Sequence, residues 1–549
     1  MSTAWPRPDF VNGMPRHAQE VIDRYRADGY WSAETIVDRF STVAEANPER
    51  LAVVDETFRI SYSELRRKTS AFAGSLRELG VSPGDIVTIQ LPNWWEHIVA
   101  VLGTIEAGAV AAPVNIRVRG ELEYVLTATQ SKVVVGPEVF HDFSHSQLVS
   151  EMAPRLEHLR HQVLVRPAQQ TSQLDFSELI LRAEELAVQP AVLAATDAWE
   201  IMFTSGTTSR PKGVVRTHDN TIFTIRLLAE HYGILAGDGT DVALAVLPVS
   251  FVYAQYVCAL GALLTGGTLV LQDDFDASAT LELIKREHVT VLPIVPSMVP
   301  AFHQAVDRGG SWELSSLRIV APAGEAVTRE RKQECVEIFR CDVRECYGLA
   351  EVTMPLVQPE LATWQRKLDC TGQVNPATEV RVIADDGTDV VGNDEGELLV
   401  RTPTLFPGYY RNVEATLAAI DEDGWFHTGD LVRSYGAGFF GIAGRRKDLI
   451  KRGGISVVPQ DVEDALEAHP GVAAVAVFGL QHPSRGEIVC ACVVPRSGWI
   501  LSSEDLQSFL RGRIATFKIP ERIELVDSLP VSGNGKILKS ELAARLRSA

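Results

Sequence analysis

The chain has 549 residues, of which 46 % are hydrophobic and 22 % are charged, and these values exclude a disordered, collagen-like or coiled-coil protein. The formal net charge of −19 argues against a surface that binds nucleic acid, and the length predicts about three or four folding units. The seven cysteines include no C-x-x-C pair, which is typical of a reducing, cytoplasmic compartment without structural disulfides.

Helix and strand patterns alternate in two regions of the N-terminal half, residues 61–135 and residues 242–350. Short apolar strands separated by longer helical stretches indicate parallel βαβ units. We therefore predict an α/β fold with doubly wound βαβ subdomains.

An uncharged run lies between Asp241 and Asp273 and must be weighed as a membrane span. A spanning helix needs about 20 mainly apolar residues in one stretch. Here Pro248 and the pair Gly266-Gly267 divide the run into strand, helix and strand, which favours a buried βαβ unit. The start of the chain, Met1–Pro6, shows no secretory signal, so we expect a cytoplasmic location without a membrane partner.

The pattern changes in the C-terminal part of the chain. Short alternating strands over residues 379–443 predict a small antiparallel sheet or barrel. Within it, Gly436–Gly441 fits G-x-G-x-x-G, but no strong helix follows, so we predict a β-hairpin turn rather than a dinucleotide site. The basic segment Gly444–Asp448 is the best boundary, which gives an N-terminal domain of residues 1–446 and an α+β C-terminal domain of residues 447–549.

A ten-residue loop rich in Ser, Thr and Gly, Thr204–Gly213, follows an apolar strand. Hydroxyl and backbone N–H groups of such a loop can surround phosphate oxygens, and Lys212 can place a positive charge beside them. The loop is not a G-x-x-x-x-G-K-[ST] loop, because Gly213 follows the lysine, and a flexible surface loop is the alternative. The candidate phosphate ligands are Thr204, Ser205, Gly206, Thr207, Thr208 and Lys212.

This loop resembles the phosphate-binding loop of the adenylate-forming superfamily, which comprises acyl-CoA synthetases, aryl acid ligases, peptide-synthetase adenylation domains and luciferases. The other family motifs follow in the expected order and cover nearly the whole chain. They are Ser61–Leu65, Gly108–Pro113, Tyr347–Glu351, Gly396–Leu398, Thr428–Asp430, Gly444-Arg445 and Pro530–Lys536. Because such an ordered set is very specific, the chain is identified as a member of this superfamily. The fold that this implies is a large N-terminal domain with a small, mobile C-terminal domain.

The resemblance implies a site for ATP and Mg²⁺. Glu351 would hold Mg²⁺ on the triphosphate, which suits a carboxylate that follows a buried strand. Asp430 would accept both ribose hydroxyls, and Tyr347 would either stack on the adenine or be a buried structural tyrosine. The other implied nucleotide contacts are Gly324, Glu325, Ala326, Gly348 and Arg445.

The resemblance also assigns roles to residues that lie at and beyond the predicted boundary. Lys447 takes the hinge position inside a basic run that would otherwise be read as a solvated charge cluster. Lys536 would lie over the α-phosphate and stabilise the charge that develops there. After rotation of the small domain, Gly453 and Gly454 would line a channel for the pantetheine arm of CoA, because glycines let an extended arm pass close to backbone.

The segment Leu247–Tyr253 matches the part of the family that begins the acyl pocket. The implied pocket residues are Phe251, Val252, Tyr253 and Ala323. Val252 stands where amino-acid-activating domains have Asp, and an ammonium group that faced valine would lose its hydration at a cost of several kcal/mol. This favours an apolar acid, either alicyclic, aryl or of medium chain length. The N-terminal stretch Tyr25–Trp31 resembles aryl and alicyclic acid ligases.

The function that the resemblance implies is an AMP-forming acid–thiol ligase. A carboxylic acid attacks ATP to give an acyl adenylate and pyrophosphate, and the acyl group then passes to CoA with release of AMP. Lys536, Lys212 and Glu351 would be the catalytic residues. The alternatives are loading of an acyl carrier protein, a relative that performs one half-reaction, a luciferase-like oxygenase and a nucleotide-binding regulator without turnover.

Overall fold

Four large sheets organise the part of the chain that the structure describes. The structure is a computed structural model, and it describes residues 6–168, 173–183, 191–204, 211–309, 312–390, 392, 394–452, 455–482, 486–531 and 537–548. Three of the sheets have seven strands each and the fourth has five. Two short hairpins complete the strand set, Asp9–Val11 with Met14–Arg16 and Val139–Phe140 with Phe143–Ser144.

The first sheet is parallel except at one edge. Its strands in spatial order are Leu174–Asp175, His161–Val165, Val133–Pro137, Ile86–Ile89, Val110–Pro113, Ala198–Thr204 and Lys212–Thr217. The last two strands pair antiparallel, while every other pair is parallel. The inner strands are fully buried runs of β-branched and small residues, as expected when helices cover both faces of a parallel sheet.

The second sheet repeats this arrangement. Its strands in spatial order are Asp342–Val343, Ile319–Pro322, Val291–Ile294, Val242–Ala245, Thr268–Leu271, Leu51–Val54 and Arg59–Ser61. The strands Val242–Ala245 and Thr268–Leu271 pair parallel, and helical segments span Val252–Thr265 between them. The predicted βαβ reading of the uncharged run is therefore confirmed. Among the described residues no helix is long and apolar enough to cross a membrane.

The third sheet is antiparallel throughout. Its strands in spatial order are Cys346–Tyr347, Leu356–Val357, Gly372–Val374, Phe439–Arg445, Phe426–Ser434, Glu395–Arg401 and Glu379–Ile383. Phe426–Ser434 and Phe439–Arg445 form a hairpin whose turn contains Gly436 and Gly438, both at a φ of +76°. Because this φ suits glycine, the G-x-G-x-x-G match marks a hairpin turn, as predicted.

The fourth sheet belongs to the C-terminal unit, which we define as the described residues from Ile450 onward. Its strands are Ile455–Val457, Ile450–Arg452, Gly486–Pro495 and Val472–His482 in spatial order, with Arg522–Leu525 parallel to Gly486–Pro495. A separate hydrophobic cluster fills this unit, with Val462, Leu466 and Val477 fully buried. The predicted boundary at Lys447 falls in the short 3₁₀ turn Arg446–Asp448, between the third and fourth sheets.

Helices cover the sheets. They are Gln19–Ala27, Ile36–Ala46, Tyr62–Glu78, Trp95–Glu106, Leu122–Thr129, His145–Met152, Phe176–Ala183, His218–Arg226, Ala277–Glu287, Val299–Asp307, Arg329–Phe339, Trp364–Asp369, Val413–Ala419, Pro459–Glu467, Ser503–Leu510 and Lys539–Ser548. The Ser61–Leu65 motif begins one of them, because the Ser61 hydroxyl accepts a hydrogen bond from the Glu64 N–H at 3.3 Å. Tyr62 then donates its hydroxyl to the Gly267 carbonyl at 2.7 Å and ties this helix to the second sheet.

Candidate active site

The predicted phosphate loop connects the two antiparallel edge strands of the first sheet. Thr204 and Lys212 are register partners at the ends of these strands, so the sheet fixes both ends of the loop. Ser205, Gly206, Thr207 and Thr208 lie outside the described residues. The β-hairpin therefore brings the predicted lysine to the edge of the sheet where the loop emerges.

Lys212 and Glu351 meet at one aromatic ring. The Nζ of Lys212 lies 4.8 Å from the centroid of the Tyr409 ring, a distance at which the ring attracts a cation. The Tyr409 hydroxyl donates a hydrogen bond of 2.8 Å to Oε1 of Glu351. Burial, followed by the neighbouring Glu351 charge, raises the pKa of Tyr409, so the phenol stays a donor at neutral pH. The Tyr409 ring thus contacts the Lys212 cation, and the Tyr409 hydroxyl contacts the Glu351 carboxylate.

Backbone contacts hold this cluster together. The N–H of Tyr410 donates to the Gly213 carbonyl at 2.8 Å, and the N–H of Phe406 donates to the Glu351 carbonyl at 2.8 Å. The segment Phe406–Tyr410 therefore bridges the strand that carries Lys212 and the turn that carries Glu351. We did not predict Tyr409 from the sequence, because its partners lie in two distant segments and no short motif joins them.

The donor set around Glu351 suits Mg²⁺. No group of three or more His, Cys, Asp or Glu side chains that could hold a metal ion occurs among the described residues. Mg²⁺ is commonly held by one or two carboxylates together with substrate phosphates rather than by an all-protein cage. A single half-buried carboxylate beside the phosphate-loop lysine fits that pattern.

A second cluster forms around Asp430, whose side chain is 3 % exposed. Tyr347 donates its hydroxyl to Oδ2 at 2.6 Å, and Nε of Arg445 lies 2.9 Å from Oδ1. Asp430 and Arg445 are opposite each other on neighbouring strands of the third sheet, so the hairpin itself creates this ion pair. The structure therefore brings three predicted nucleotide residues together.

Glu397 supports the Thr428–Asp430 part of strand Phe426–Ser434. One of its oxygens, Oε1, accepts a hydrogen bond of 3.1 Å from the Gly429 N–H, and Oε2 accepts one of 2.8 Å from Nη1 of Arg446. The contact with His427 lowers the pKa of Glu397, and the same contact raises the pKa of His427. Glu397 belongs to the Gly396–Leu398 motif, which was recognised in the sequence without a role for its carboxylate.

The segment Ala323–Ala326 follows the second-sheet strand Ile319–Pro322. Ala323 bridges to Cys346, so this segment runs beside the Tyr347 turn. Gly324 has a φ of +82°, and Oε2 of Glu325 accepts a hydrogen bond of 3.0 Å from the Ser297 N–H. At Gly348 a Cβ would lie 2.9 Å from the Met354 nitrogen, so only glycine lets this turn close on itself.

The predicted acyl-pocket segment becomes a helix at Val252. Phe251 is the N-cap residue, Val252–Ala254 form a short helical turn, and Gln255–Leu260 continue as a π-helix. The Tyr253 hydroxyl donates to the Ala321 carbonyl at 2.5 Å, two residues before Ala323. Val252, Tyr253 and Ala323 pack in the same hydrophobic cluster. We call Val252–Leu260 the acyl-pocket helix.

The remaining predicted residues lie in and after the boundary turn. Lys447 is exposed in the turn Arg446–Asp448. Gly453, Gly454 and Lys536 lie outside the described residues, so their roles stay predictions.

Comparisons with known proteins agree with the order of these motifs. Residues 40–410 match the family described as AMP-binding enzyme, and residues 461–536 match the AMP-binding enzyme C-terminal domain. The chain is 32 % identical to the 2-hydroxy-7-methoxy-5-methyl-1-naphthoate–CoA ligase of Streptomyces carzinostaticus, an alignment that covers 96 % of this chain and 95 % of the relative. It is 33 % identical to the feruloyl-CoA synthase of an Amycolatopsis species, with coverage of 91 % and 97 %.

A solved structure gives the same result for the fold. A benzoate CoA ligase from Burkholderia xenovorans LB400 superimposes with a TM-score of 0.81 at 26 % identity, and the match covers 93 % of this chain and all of that chain. The predicted α/β fold and the predicted superfamily are confirmed. The chain belongs to the AMP-binding enzyme family, the adenylate-forming superfamily that its ordered motifs indicated.

Proposed function

We propose that this protein is an AMP-forming ligase that activates an aromatic or other cyclic carboxylic acid and transfers the acyl group to CoA. The observation that carries the proposal is the presence of two clusters of predicted nucleotide residues, Lys212–Tyr409–Glu351 at the edge hairpin of the first sheet and Tyr347–Asp430–Arg445 on the third sheet. Relatives matched over nearly their whole length are ligases of hydroxynaphthoate and ferulate, which supports an aryl acid.

The first half-reaction needs positioning and charge stabilisation rather than a base. A carboxylic acid is already ionised at pH 7, so its oxygen can attack the α-phosphorus directly while pyrophosphate leaves. Lys212 would bind the terminal phosphate oxygens, and Glu351 would hold Mg²⁺, which when bound neutralises charge on the triphosphate. Asp430 would accept the ribose hydroxyls, and Arg445 would orient Asp430 through the 2.9 Å ion pair.

The second half-reaction would use the C-terminal unit. The CoA thiolate attacks the carbonyl carbon of the acyl adenylate, the carbon–oxygen bond to AMP breaks, and AMP leaves with its phosphate charge. Lys536 would serve the first step and the Gly453-Gly454 segment would admit the thiol arm in the second. One hinge near Lys447 would then serve both half-reactions.

The side chains of the acyl-pocket helix favour one class of carboxylic acid. Val252 and Tyr253 pack against the hydrophobic cluster that contains Ala323, and the Tyr253 hydroxyl donates its hydrogen bond to the Ala321 carbonyl. No charged side chain stands at position 252, so an α-ammonium group would lack a partner. An apolar ring is the substituent that this wall accommodates best.

The proposal is tested by carboxylate-dependent exchange of labelled pyrophosphate into ATP. We would use a panel of aromatic, alicyclic and medium-chain acids, each with and without CoA, and detect the products by mass. Exchange with aromatic acids together with an acyl-CoA product would support the proposal. Exchange without an acyl-CoA would indicate a carrier protein as acceptor, and exchange with fatty acids alone would contradict the acid class.

A further inference from the structure

A guanidinium group is buried between the turn that carries Glu351 and the acyl-pocket helix. Arg216 is 1 % exposed and lies four residues after Lys212 on the same edge strand. Its Nε donates a hydrogen bond of 3.0 Å to the Tyr256 hydroxyl, and its Nη2 donates one of 3.1 Å to the Thr353 hydroxyl. Its Nη1 donates to the carbonyls of Ala350 at 3.2 Å and Thr404 at 3.3 Å. Four of its five N–H groups are thus bonded to neutral acceptors.

Two of these acceptors flank Glu351. Ala350 precedes it and Thr353 follows it by two residues, so the planar guanidinium grips the Glu351 turn on both sides. A third acceptor, Thr404, lies just before the segment that carries Tyr409, the hydrogen-bond donor to Glu351. Arg216 is therefore hydrogen-bonded on both sides of Glu351, although none of these bonds goes to the Glu351 carboxylate.

The fourth acceptor belongs to the acyl-pocket helix. Tyr256 lies in the π-helical part of this helix, three residues after Tyr253. Its ring is fully buried in the hydrophobic cluster against which Val252 and Tyr253 pack. One buried side chain thus joins the wall of the acyl pocket to the turn that carries Glu351.

The charge of Arg216 has no close ion partner among the described residues. Glu200 lies opposite it in the strand register, but Oε1 of Glu200 accepts its 2.7 Å hydrogen bond from Gln255 instead. Burial raises the pKa of Glu200 to about 8, while the Gln255 hydrogen bond and the Arg216 charge act in the opposite direction. A buried cation without an ion pair is costly, and proteins keep such features mainly at functional sites.

We infer that Arg216 is a positioning residue that holds the Glu351 turn against the acyl-pocket helix, so that binding of the acid and binding of Mg²⁺–ATP strengthen each other. The inference rests on the proposed function for its acid. Lysine cannot replace arginine here, because one ammonium cannot reach acceptors that lie in several directions around a planar group. Thermodynamic linkage requires the effect to be equal in both directions.

The test uses three variants that interrupt different bonds of this network. Arg216→Lys replaces the planar guanidinium with a single ammonium. Thr353→Val removes the hydroxyl on the Glu351 turn, and Tyr256→Phe removes the hydroxyl on the acyl-pocket helix. Thr280→Val is the matched control, because the fully buried Thr280 hydroxyl is hydrogen-bonded to Gln272 and to the Asp276 carbonyl, outside this network. The two isosteric changes keep the test valid should Arg216→Lys fail to fold.

The first measurement is calorimetric binding of a non-hydrolysable ATP analogue, with and without Mg²⁺ and in the absence of any acid. We expect Arg216→Lys and Thr353→Val to weaken binding about fivefold when Mg²⁺ is present and much less without it. Tyr256→Phe and Thr280→Val should bind the analogue as the wild type does. Equal affinities in all five proteins would overturn the inference, whatever the acid proves to be.

The second measurement is the affinity for the acid, with and without the Mg²⁺–analogue complex. Tyr256→Phe should weaken acid binding about fivefold, and Arg216→Lys should also abolish the mutual strengthening seen in the wild type. Independent binding of acid and analogue in the wild type would overturn the inference. A wild type that binds no acid of the panel would instead refute the proposed acid class, and the first measurement would still decide the role of Arg216.

Discussion

The nucleotide site and the contact of helix Arg329–Phe339 with the C-terminal unit are held together by different kinds of bonds. Lys212 and Glu351 are fixed by strand pairing, by backbone hydrogen bonds from the Phe406–Tyr410 segment and by the Tyr409 ring. These contacts cannot separate without opening a sheet. The site is therefore built as a rigid part of the N-terminal fold.

The contact of helix Arg329–Phe339 with the C-terminal unit is made of polar groups instead. Arg331 donates a hydrogen bond to the Ala473 carbonyl, and the Thr328 hydroxyl donates one of 2.9 Å to Glu467. Glu334 accepts hydrogen bonds from Arg331 at 2.6 Å and from Arg496 at 2.8 Å. We call these residues the docking contact.

The difference indicates which part of the enzyme can rearrange. When such a contact opens, its hydrogen bonds are exchanged for bonds to water, so each contributes only a small net free energy. Burial of a large apolar core is not exchanged so easily. The docking contact suits a C-terminal unit that leaves and returns, while the nucleotide site stays in place.

The largest effect is expected when the nucleotide site loses the negative charge of Glu351. Glu351→Gln keeps the shape of the side chain but removes the carboxylate assigned to Mg²⁺, so we expect about a 100-fold decrease in pyrophosphate exchange. The Mg²⁺ concentration for half-maximal rate should rise as well. Glu360→Gln is the control, since the Glu360 side chain is 71 % exposed. A Glu351→Gln enzyme with the wild-type Mg²⁺ dependence would show that the metal is held elsewhere.

A smaller effect is expected from the ring that joins the cluster. Tyr409→Phe keeps the ring beside Lys212 and removes only the hydroxyl that donates to Glu351. One such hydrogen bond is worth about 1 kcal/mol, which corresponds to roughly a fivefold decrease in kcat/KM for ATP. Tyr410→Phe changes the adjacent residue in the same way and should have no effect. Equal losses in both variants would indicate a general loss of packing.

The sequence predicted the features that depend on local pattern. The βαβ rhythm around Val242–Leu271 and the hairpin at Gly436 follow from periodicity and turn chemistry, which act over a few residues. Thr204, Lys212 and Glu351 were found because they stand in ordered motifs.

Residues whose role depends on distant partners were missed. Tyr409 lies 58 residues from Glu351, and Arg216 lies 137 residues from Thr353. A tyrosine or an arginine alone carries no signal for such a contact, because the fold and not the neighbouring sequence brings the partners together. Glu397 was visible in a motif, but only the structure shows that its carboxylate accepts a hydrogen bond from the Gly429 N–H.

The docking contact should respond to one substitution in a way that the nucleotide site does not. Arg331→Gln leaves the carboxylates of Glu334 and Glu467 without the cation between them, so we expect the C-terminal unit to detach more often. Tryptic cleavage in the basic segment 445–452 should then become several-fold faster, while binding of ATP changes little. The measurement is a time course of limited proteolysis at neutral pH.

Arg329→Gln is the matched control for that experiment. Arg329 lies on the same helix but pairs with Asp369, away from the C-terminal unit. Its removal should leave the cleavage rate unchanged. If both variants were cleaved at the wild-type rate, the polar contact would not hold the C-terminal unit in place.

The smallest effect is expected from the ion pair of His427 and Glu397, which lies beside the proposed ribose ligand Asp430. Nδ1 of His427 lies 3.6 Å from Glu397, and Nε2 lies 3.6 Å from Asp421. The contact with Glu397 raises the pKa of His427 above 6.5, so its stabilising charge is complete below pH 6.5 and is lost as the pH rises through the raised pKa. The pKa of Glu397 is lowered below 4.5, so its contribution is present above pH 4.5 and is lost as the pH falls through the lowered pKa.

The pair therefore stabilises the Thr428–Asp430 part of its strand most between these two pH values. His427→Gln should lower the melting temperature by about 1–2 °C near pH 5.5 and by less near pH 8.5, because the imidazole is partly exposed and an exposed pair is worth at most about 1 kcal/mol. Arg446 also pairs with Glu397, and this pair stays in place in the His427→Gln variant. A difference in melting temperature that is constant with pH would show that His427 acts by packing, and the ribose site would then owe its position to the hairpin alone.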